Sequence, residues 1–379
     1  MKYYTVEGKQ KSIFKVFAIY YICMALFCVV RILAGIEGVL PEGKWGDVAF
    51  SFVIQVIILF LIPFVLYNLF LKVSPKQTFE HCNFSKINIA VILISLVLGV
   101  LCFIINIAVS SLFNGMISFT GYRFGTGGGS ADYSTWNFLL QLFLVAVLPA
   151  FCEEFLHRGI LLQGIKHIGF KKAIVLSSLL FGLLHFNIQQ VAYATVIGLI
   201  LGFVSVVAKN IWPAIIIHFM NNAISTYLDF AAGRGWIFGD ILNNLQNALA
   251  SGNTTLVFII SSLVLIAVIV LLCLMIWLLY KQSIIKKVNK AIDKAYKSSS
   301  AFFRNAPIHL TEEHEAIRDL LENSTLLNLD VKAMDNPIDI VMPKEKSRYA
   351  PKRLDKLFLW GALVLGALVT LFSYSWGLF

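Results

Sequence analysis

Long apolar runs separated by short, lysine-bearing connections pattern the whole chain. A window of about nineteen residues picks out segments at roughly 13–35, 48–71, 87–112, 136–165, 173–187, 190–208, 212–230, 255–280 and 357–378. A helix needs about 20 mainly apolar residues to cross some 30 Å of hydrocarbon, and most of these runs reach that length. The pattern predicts an all-α fold, a polytopic membrane helical bundle of about nine transmembrane helices, because helices satisfy their own backbone in lipid. The opening MKYYTVEGKQKSIFK carries charge ahead of an apolar run that continues to Ala34 without a small-residue cleavage site, so it reads as a retained first span.

Composition agrees. Of 379 residues, 58% are hydrophobic and 14% charged, against about a quarter charged in soluble domains. Five of the six cysteines lie inside apolar runs and Cys82 sits alone in a loop, so no disulfide framework is implied. The net charge of +10 follows from topology. With the N-terminus cytoplasmic, inside connections hold 26 Lys/Arg and outside ones only Arg31, Lys44, Arg123 and Arg234. Discounting the long 281–356 segment leaves 11 against four, and the positive-inside rule still holds. The expectation is a multi-pass plasma membrane protein with anionic lipids as partners and no nucleic acid.

Five regions result: N-terminal spans at 1–135, a polar-bearing helical core at 136–230, an outer loop and eighth helix at 231–280, a basic cytoplasmic insert at 281–356, and a last span at 357–379. Lys281, Lys286, Lys287, Lys290, Lys294 and Lys297, with apolar residues at helical spacing between them, suit an amphipathic helix on anionic headgroups. Topological charge alone is the plainer account. Thr311 ahead of Glu312, Glu313 and Glu315 looks like a helix start.

The informative residues are ionisable groups within 136–230. The fourth span places Glu153, Glu154, His157 and Arg158 within six positions. Charges at mid-membrane cost about 2.5–3.5 kcal/mol each on insertion scales, so this cluster must face protein or water. Glu154 and Arg158 are four apart and stack as an ion pair; Glu153 and His157 form a second such pair, with His157 a supporting partner. The fifth span offers His185 and the seventh His218, Asn221 and Asn222. Glu153 lies sixteen residues before Gly169 and His185 sixteen after it, so in a hairpin both stand about 24 Å from the turn. His218 lies only about eight residues past the Asn210 turn, so it reaches that height only if the fourth and fifth helices project beyond the bilayer on the cytoplasmic side. It shares a face with Asn222, whereas Asn221 is rotated away, which favours Asn222.

A carboxylate, two imidazoles and a carboxamide in a low-dielectric cleft make a hydrolase kit. Burial raises a glutamate towards the range of a general base. In the preferred reading Glu153 with His185 deprotonates a water that attacks an amide carbonyl. His218 and Asn222 then hold the oxyanion, while Glu154 and Arg158 hold the helix. No cofactor is favoured; zinc bound by Glu153, His185 and His218 is the alternative.

The order EEFLHRG, FGLLHF, HFMNN resembles the EExxxR, FxxxH and HxxxN motifs of the CAAX prenyl endopeptidase and bacteriocin-processing (CPBP, or Abi) family of intramembrane proteases. Glu153, Glu154 and Arg158 match the first motif, Phe181 and His185 the second, His218 and Asn222 the third. The resemblance covers about residues 136–225. It implies an all-helical membrane fold with a cavity open to the cytosol, and hydrolysis of a peptide or protein substrate, lipid-modified or not, near its C-terminus. It carries the roles given above, with the metal question argued both ways. The alternatives are a membrane transporter, since membrane carboxylates also make proton relays, or a non-catalytic peptide-binding immunity protein.

Other motifs fall away. His314-Glu315 lacks the second histidine of HExxH, because Arg318 stands there. Ser130 lacks the following glycine of a rhomboid-type GxSG, and 121–134 reads as an extracytoplasmic loop. Phe238-Gly239-Asp240 lacks the first glycine of GxGD and a second membrane aspartate. Gly198 and Gly202 form GxxxG, a close helix contact.

Overall fold

The computed structural model describes residues 6–36, 38–39, 41, 43–124, 132–240, 254–285 and 353–378. Ten helices follow one another: α1 Val6–Ala34, α2 Lys44–Leu71, α3 Pro75–His81, α4 Ile89–Ser118, α5 Thr135–Ile165, α6 Phe170–Leu184, α7 Ile188–Ala208, α8 Trp212–Arg234, α9 Thr254–Tyr280 and α10 Arg353–Trp376. The architecture is an all-α polytopic bundle, as the apolar pattern predicts. All but α3 coincide with a predicted apolar run.

Seven of these helices are long and apolar enough to cross a membrane. The other two predicted spans are α6, with only 15 residues, and α8, whose His218, Asn221, Asn222 and Asp229 lower its hydropathy. Both still pack inside the bundle. The short α3 has no apolar signature and starts on Ser74, which accepts from Gln77 N while the Gln77 side chain accepts from Ser74 N, a capping box.

Two of these helices wind as π-helix within their spans, and a further π segment, Lys281–Ile285, continues α9. Helix α2 winds as a π-helix over Val53–Leu61, and α5 does so over Leu142–Val147 and Phe155–Leu162. Such windings rotate downstream side chains relative to an ideal helix and concentrate at functional sites.

Local chemistry sets the turns that place the polar residues. Gly169, with φ 105°, makes the turn from α5 into α6 in a conformation costly for other residues. At the far end α6 stops because Phe186 adopts φ 50°, and Asn187 caps α7 by accepting from Gln189 N. The buried Phe186 ring packs on Phe27 with centroids 5.4 Å apart, which holds this left-handed residue in place. Asn210 begins α8 by accepting from Trp212 N and donating to Ser85.

Lysine-bearing connections gather at one end of the bundle, where Ile211 N donates to Asn83 O and the Lys15 ammonium donates to Phe70 O. At the other end Arg31, Arg123 and Arg234 lie among the α1, α4, α6, α8 and α10 termini. Gly159 packs against Cys82 and Ile211, so the last turns of α5 extend past the start of α8. GxxxG is a contact as expected: a Cβ on Gly198 would stand 3.1 Å from Ser178 and one on Gly202 3.2 Å from Ile174. Residues 125–131 of the outer loop, 286–297 of the basic stretch and the Thr311 helix start lie outside the described residues.

Candidate active site

The α5–α6 hairpin pairs residues equidistant from Gly169. His157 and Phe181 lie twelve residues before and after it, and their rings meet at 4.9 Å. One turn further from the hairpin come Glu153 and His185, close enough for their charges to interact.

Phe181 is the hub of the cluster. Its ring has His157, His185 and His218 at centroid distances of 4.9, 5.1 and 5.7 Å, all edge-on, and the Arg158 guanidinium 4.6 Å from its centre. Gly198 permits this packing, since a Cβ there would lie 3.2 Å from the Phe181 ring.

Glu154 and Arg158 are wholly buried. Arg158 Nη1 donates to Glu154 Oε1 at 2.7 Å, and Nη2 donates to Gly198 O at 2.9 Å. The same Glu154 Oε1 lies 2.9 Å from His218 Nδ1. An ionised carboxylate only accepts, so Nδ1 carries the hydrogen and Nε2 is the free nitrogen of His218. The same accounting applies to His185, whose Nδ1 is 2.9 Å from Phe181 O. A carbonyl cannot donate, so Nε2 is left free there too.

Glu153 is 9% exposed against 0% for Glu154, so it is the less buried of the two acids. Its Oε1 accepts from Gln55 Nε2 at 2.9 Å. His157 does not meet the Glu153 carboxylate, as the i, i+4 spacing suggests. Its Nδ1 lies 2.7 Å from the Glu153 backbone carbonyl and its Nε2 3.1 Å from Tyr20 Oη. Tyr20 Oη also donates to Leu180 O. The π winding over Phe155–Leu162 and the drive to satisfy α5 carbonyls turn the ring inward.

Asn222 donates to Val145 O at 2.9 Å and accepts from Asn221, whose own carbonyl accepts from Asn106. It shares a face of α8 with His218, one turn away, and among the described residues it has no hydrogen bond to the other five. The structure thus joins Glu154, Arg158 and His218 directly, gathers His185 around the same phenyl ring, keeps Glu153 alongside, and sets Asn222 one turn off.

Three contributors escape the motif reading. Gln55 had a visible signal, a lone carboxamide within SFVIQVIILF. Asn106 in FIINIAV had the same one. Tyr20 had none, since an aromatic in an apolar span reads as packing.

Zinc held by Glu153, His185 and His218 needs all three around one ion. Among the described residues no three His, Cys, Asp or Glu side chains stand close enough, and one Glu153 oxygen is occupied by Gln55. The residues as placed do not fit that group.

Arg31 Nη1 donates to the His185 carbonyl at 2.8 Å. Arg31 also lines a cavity of ≈ 560 Å³ with Asp47 and Phe50, at the bundle end away from the lysine loops.

The model of the type II CAAX prenyl endopeptidase Rce1-like family matches residues 135–224, about a quarter of the chain. The resemblance to CPBP proteases therefore holds over this segment. No curated protein and no solved structure matches.

Proposed function

We propose that this multi-pass membrane chain, with its Rce1-like segment, is an intramembrane endopeptidase that cleaves a peptide bond of a membrane-associated protein or peptide. The observation that carries the reading is the Glu154 bond to His218 Nδ1 beside a second, more open acid, Glu153.

Glu153 takes a proton from a water while the water oxygen attacks the amide carbonyl carbon, with the free Nε2 of His185 orienting that water. The carbonyl oxygen becomes an oxyanion. His218 meets it as an imidazolium, its Nδ1–H on Glu154 and its Nε2–H on the oxyanion, and the second amide hydrogen of Asn222 supplies another donor. The proton on Glu153 passes to the leaving nitrogen, the C–N bond breaks, and a carboxylic acid and an amine result. Arg158 holds the Glu154 carboxylate in place at 2.7 Å, and Glu154 in turn orients His218.

The same reading places the protein in the plasma membrane with its N-terminus cytoplasmic, among anionic lipids, and takes lipid-modified chains as candidate substrates. The organisation into N-terminal spans, a 136–230 catalytic core, a 281–356 insert and a last span belongs to it. In that orientation the cavity beside Arg31 lies at the outer end of the bundle.

The test is reconstitution of the purified protein with candidate peptides, comparing wild type and Glu153→Ala by mass spectrometry with and without chelator. Cleavage in the wild type alone is expected. Equal cleavage in both overturns the reading.

A further inference from the structure

We propose that Gln55 is a positioning residue for the reactive acid, an assignment that rests on the endopeptidase reading above. Gln55 lies in the second span, far outside the Rce1-like segment, yet its side chain is 9% exposed and its Nε2 stands 2.9 Å from Glu153 Oε1. A carboxamide in a membrane span is costly without a partner. An ionised carboxylate cannot donate, so the orientation of the amide is fixed by chemistry: N–H faces Glu153.

The consequence is an asymmetric carboxylate. Oε1 is held by Gln55, and Oε2 is left to accept the water proton. Charge-assisted hydrogen bonds of this kind are the short, strong class, and here the bond crosses between two helices, so it fixes the rotamer of Glu153. Among the described residues, Gln55 is the group whose side chain bonds that carboxylate.

Local structure supports a placed residue. Gln55 stands near the start of the π segment Val53–Leu61, and π windings re-aim side chains at functional sites. Its carbonyl Oε1 is buried and has no partner among the described residues.

The experiment compares wild type, Gln55→Met and Gln55→Glu in lipid, with Glu153→Gln as reference. Met keeps the length and removes the donor; Glu keeps the shape and cannot donate to a carboxylate when ionised. Misplacement of a reacting group by about 1 Å costs on the order of a hundredfold, so both variants should lose about tenfold or more in kcat with KM unchanged. Thermal unfolding of Gln55→Met should match wild type. A second readout needs no substrate: the infrared carboxylate bands of Glu153, obtained by subtracting Glu153→Gln, should shift in Gln55→Met as its hydrogen bond is lost. Wild-type kcat in Gln55→Met, or Glu153 bands that ignore the substitution, overturns the assignment while Glu153-dependent cleavage leaves the endopeptidase reading standing. A wild type with no Glu153-dependent cleavage overturns both.

Discussion

His218 and Arg158 share a single oxygen: Nδ1 of the first and Nη1 of the second stand 2.9 and 2.7 Å from Glu154 Oε1, inside a buried cluster. One carboxylate therefore ties α5 to α8 and sets which nitrogen of His218 is free. Removing one member of a buried ion pair strands the other charge, at about 3–5 kcal/mol.

Arg158→Met should accordingly lower stability by about that amount, read as thermal unfolding in lipid or detergent. Adding Glu154→Gln should recover most of it, since the stranded charge is gone. The double variant should still cleave far more slowly than wild type, because a neutral amide holds the His218 Nδ1–H less firmly than the carboxylate does. A double variant as unstable as Arg158→Met would show that the pair contributes through packing and not through charge.

Phe181 positions three histidines at once. Phe181→Leu retains an apolar side chain while releasing the edge-on ring contacts, so it should reduce kcat about tenfold to a hundredfold. Phe181→Ala should in addition destabilise by about 3–5 kcal/mol through the cavity it leaves. Full activity in Phe181→Leu would demote the ring to ordinary core.

Gly182 is a steric requirement of the α6–α7 pair. A Cβ there would lie 2.1 Å from Thr195 Oγ1 and 2.7 Å from Val191 O. Gly182→Ala should cost about 1–3 kcal/mol and displace the neighbouring His185. Thr195→Ala in the same chain should rescue only part of the loss, because the backbone carbonyl cannot move out of the way. Complete rescue would place the whole clash in the threonine hydroxyl.

Orientation can be read from thiol labelling in a Cys273→Ser background, since Cys23, Cys28, Cys82, Cys102 and Cys152 are buried. Cysteines placed at Gly35 and Asp47, on the Arg31 cavity, should react with a membrane-impermeant maleimide on intact cells. Those at Lys86 and Lys171 should react only after permeabilisation. The reverse pattern would invert the orientation and turn the cavity to the cytosol.

The helices were legible in the chain before any coordinates. Nine of ten follow from apolar runs, because in lipid a backbone must close its own hydrogen bonds and side chains must be apolar to be tolerated. The Glu154–Arg158 bond follows from four-residue spacing, and the level of His185 from its distance to Gly169. Pairings within or across one tight turn depend on local geometry, which sequence fixes.

Contacts between distant helices do not. Nothing in the spacing says that Tyr20 reaches His157 or that Gln55 reaches Glu153, 137 and 98 residues apart. Nor does spacing reveal that His157 turns to a backbone carbonyl or that Asn222 bonds Val145. The π windings of α2 and α5 rotate side chains away from the angles an ideal helix assigns, and the choice of partner is made by whichever buried polar group remains unsatisfied when the bundle closes. The chain alone thus determined that charged groups inside its spans must gather; only the packed bundle decided which oxygen meets which nitrogen, because that depends on the relative rotation of helices that sequence leaves free.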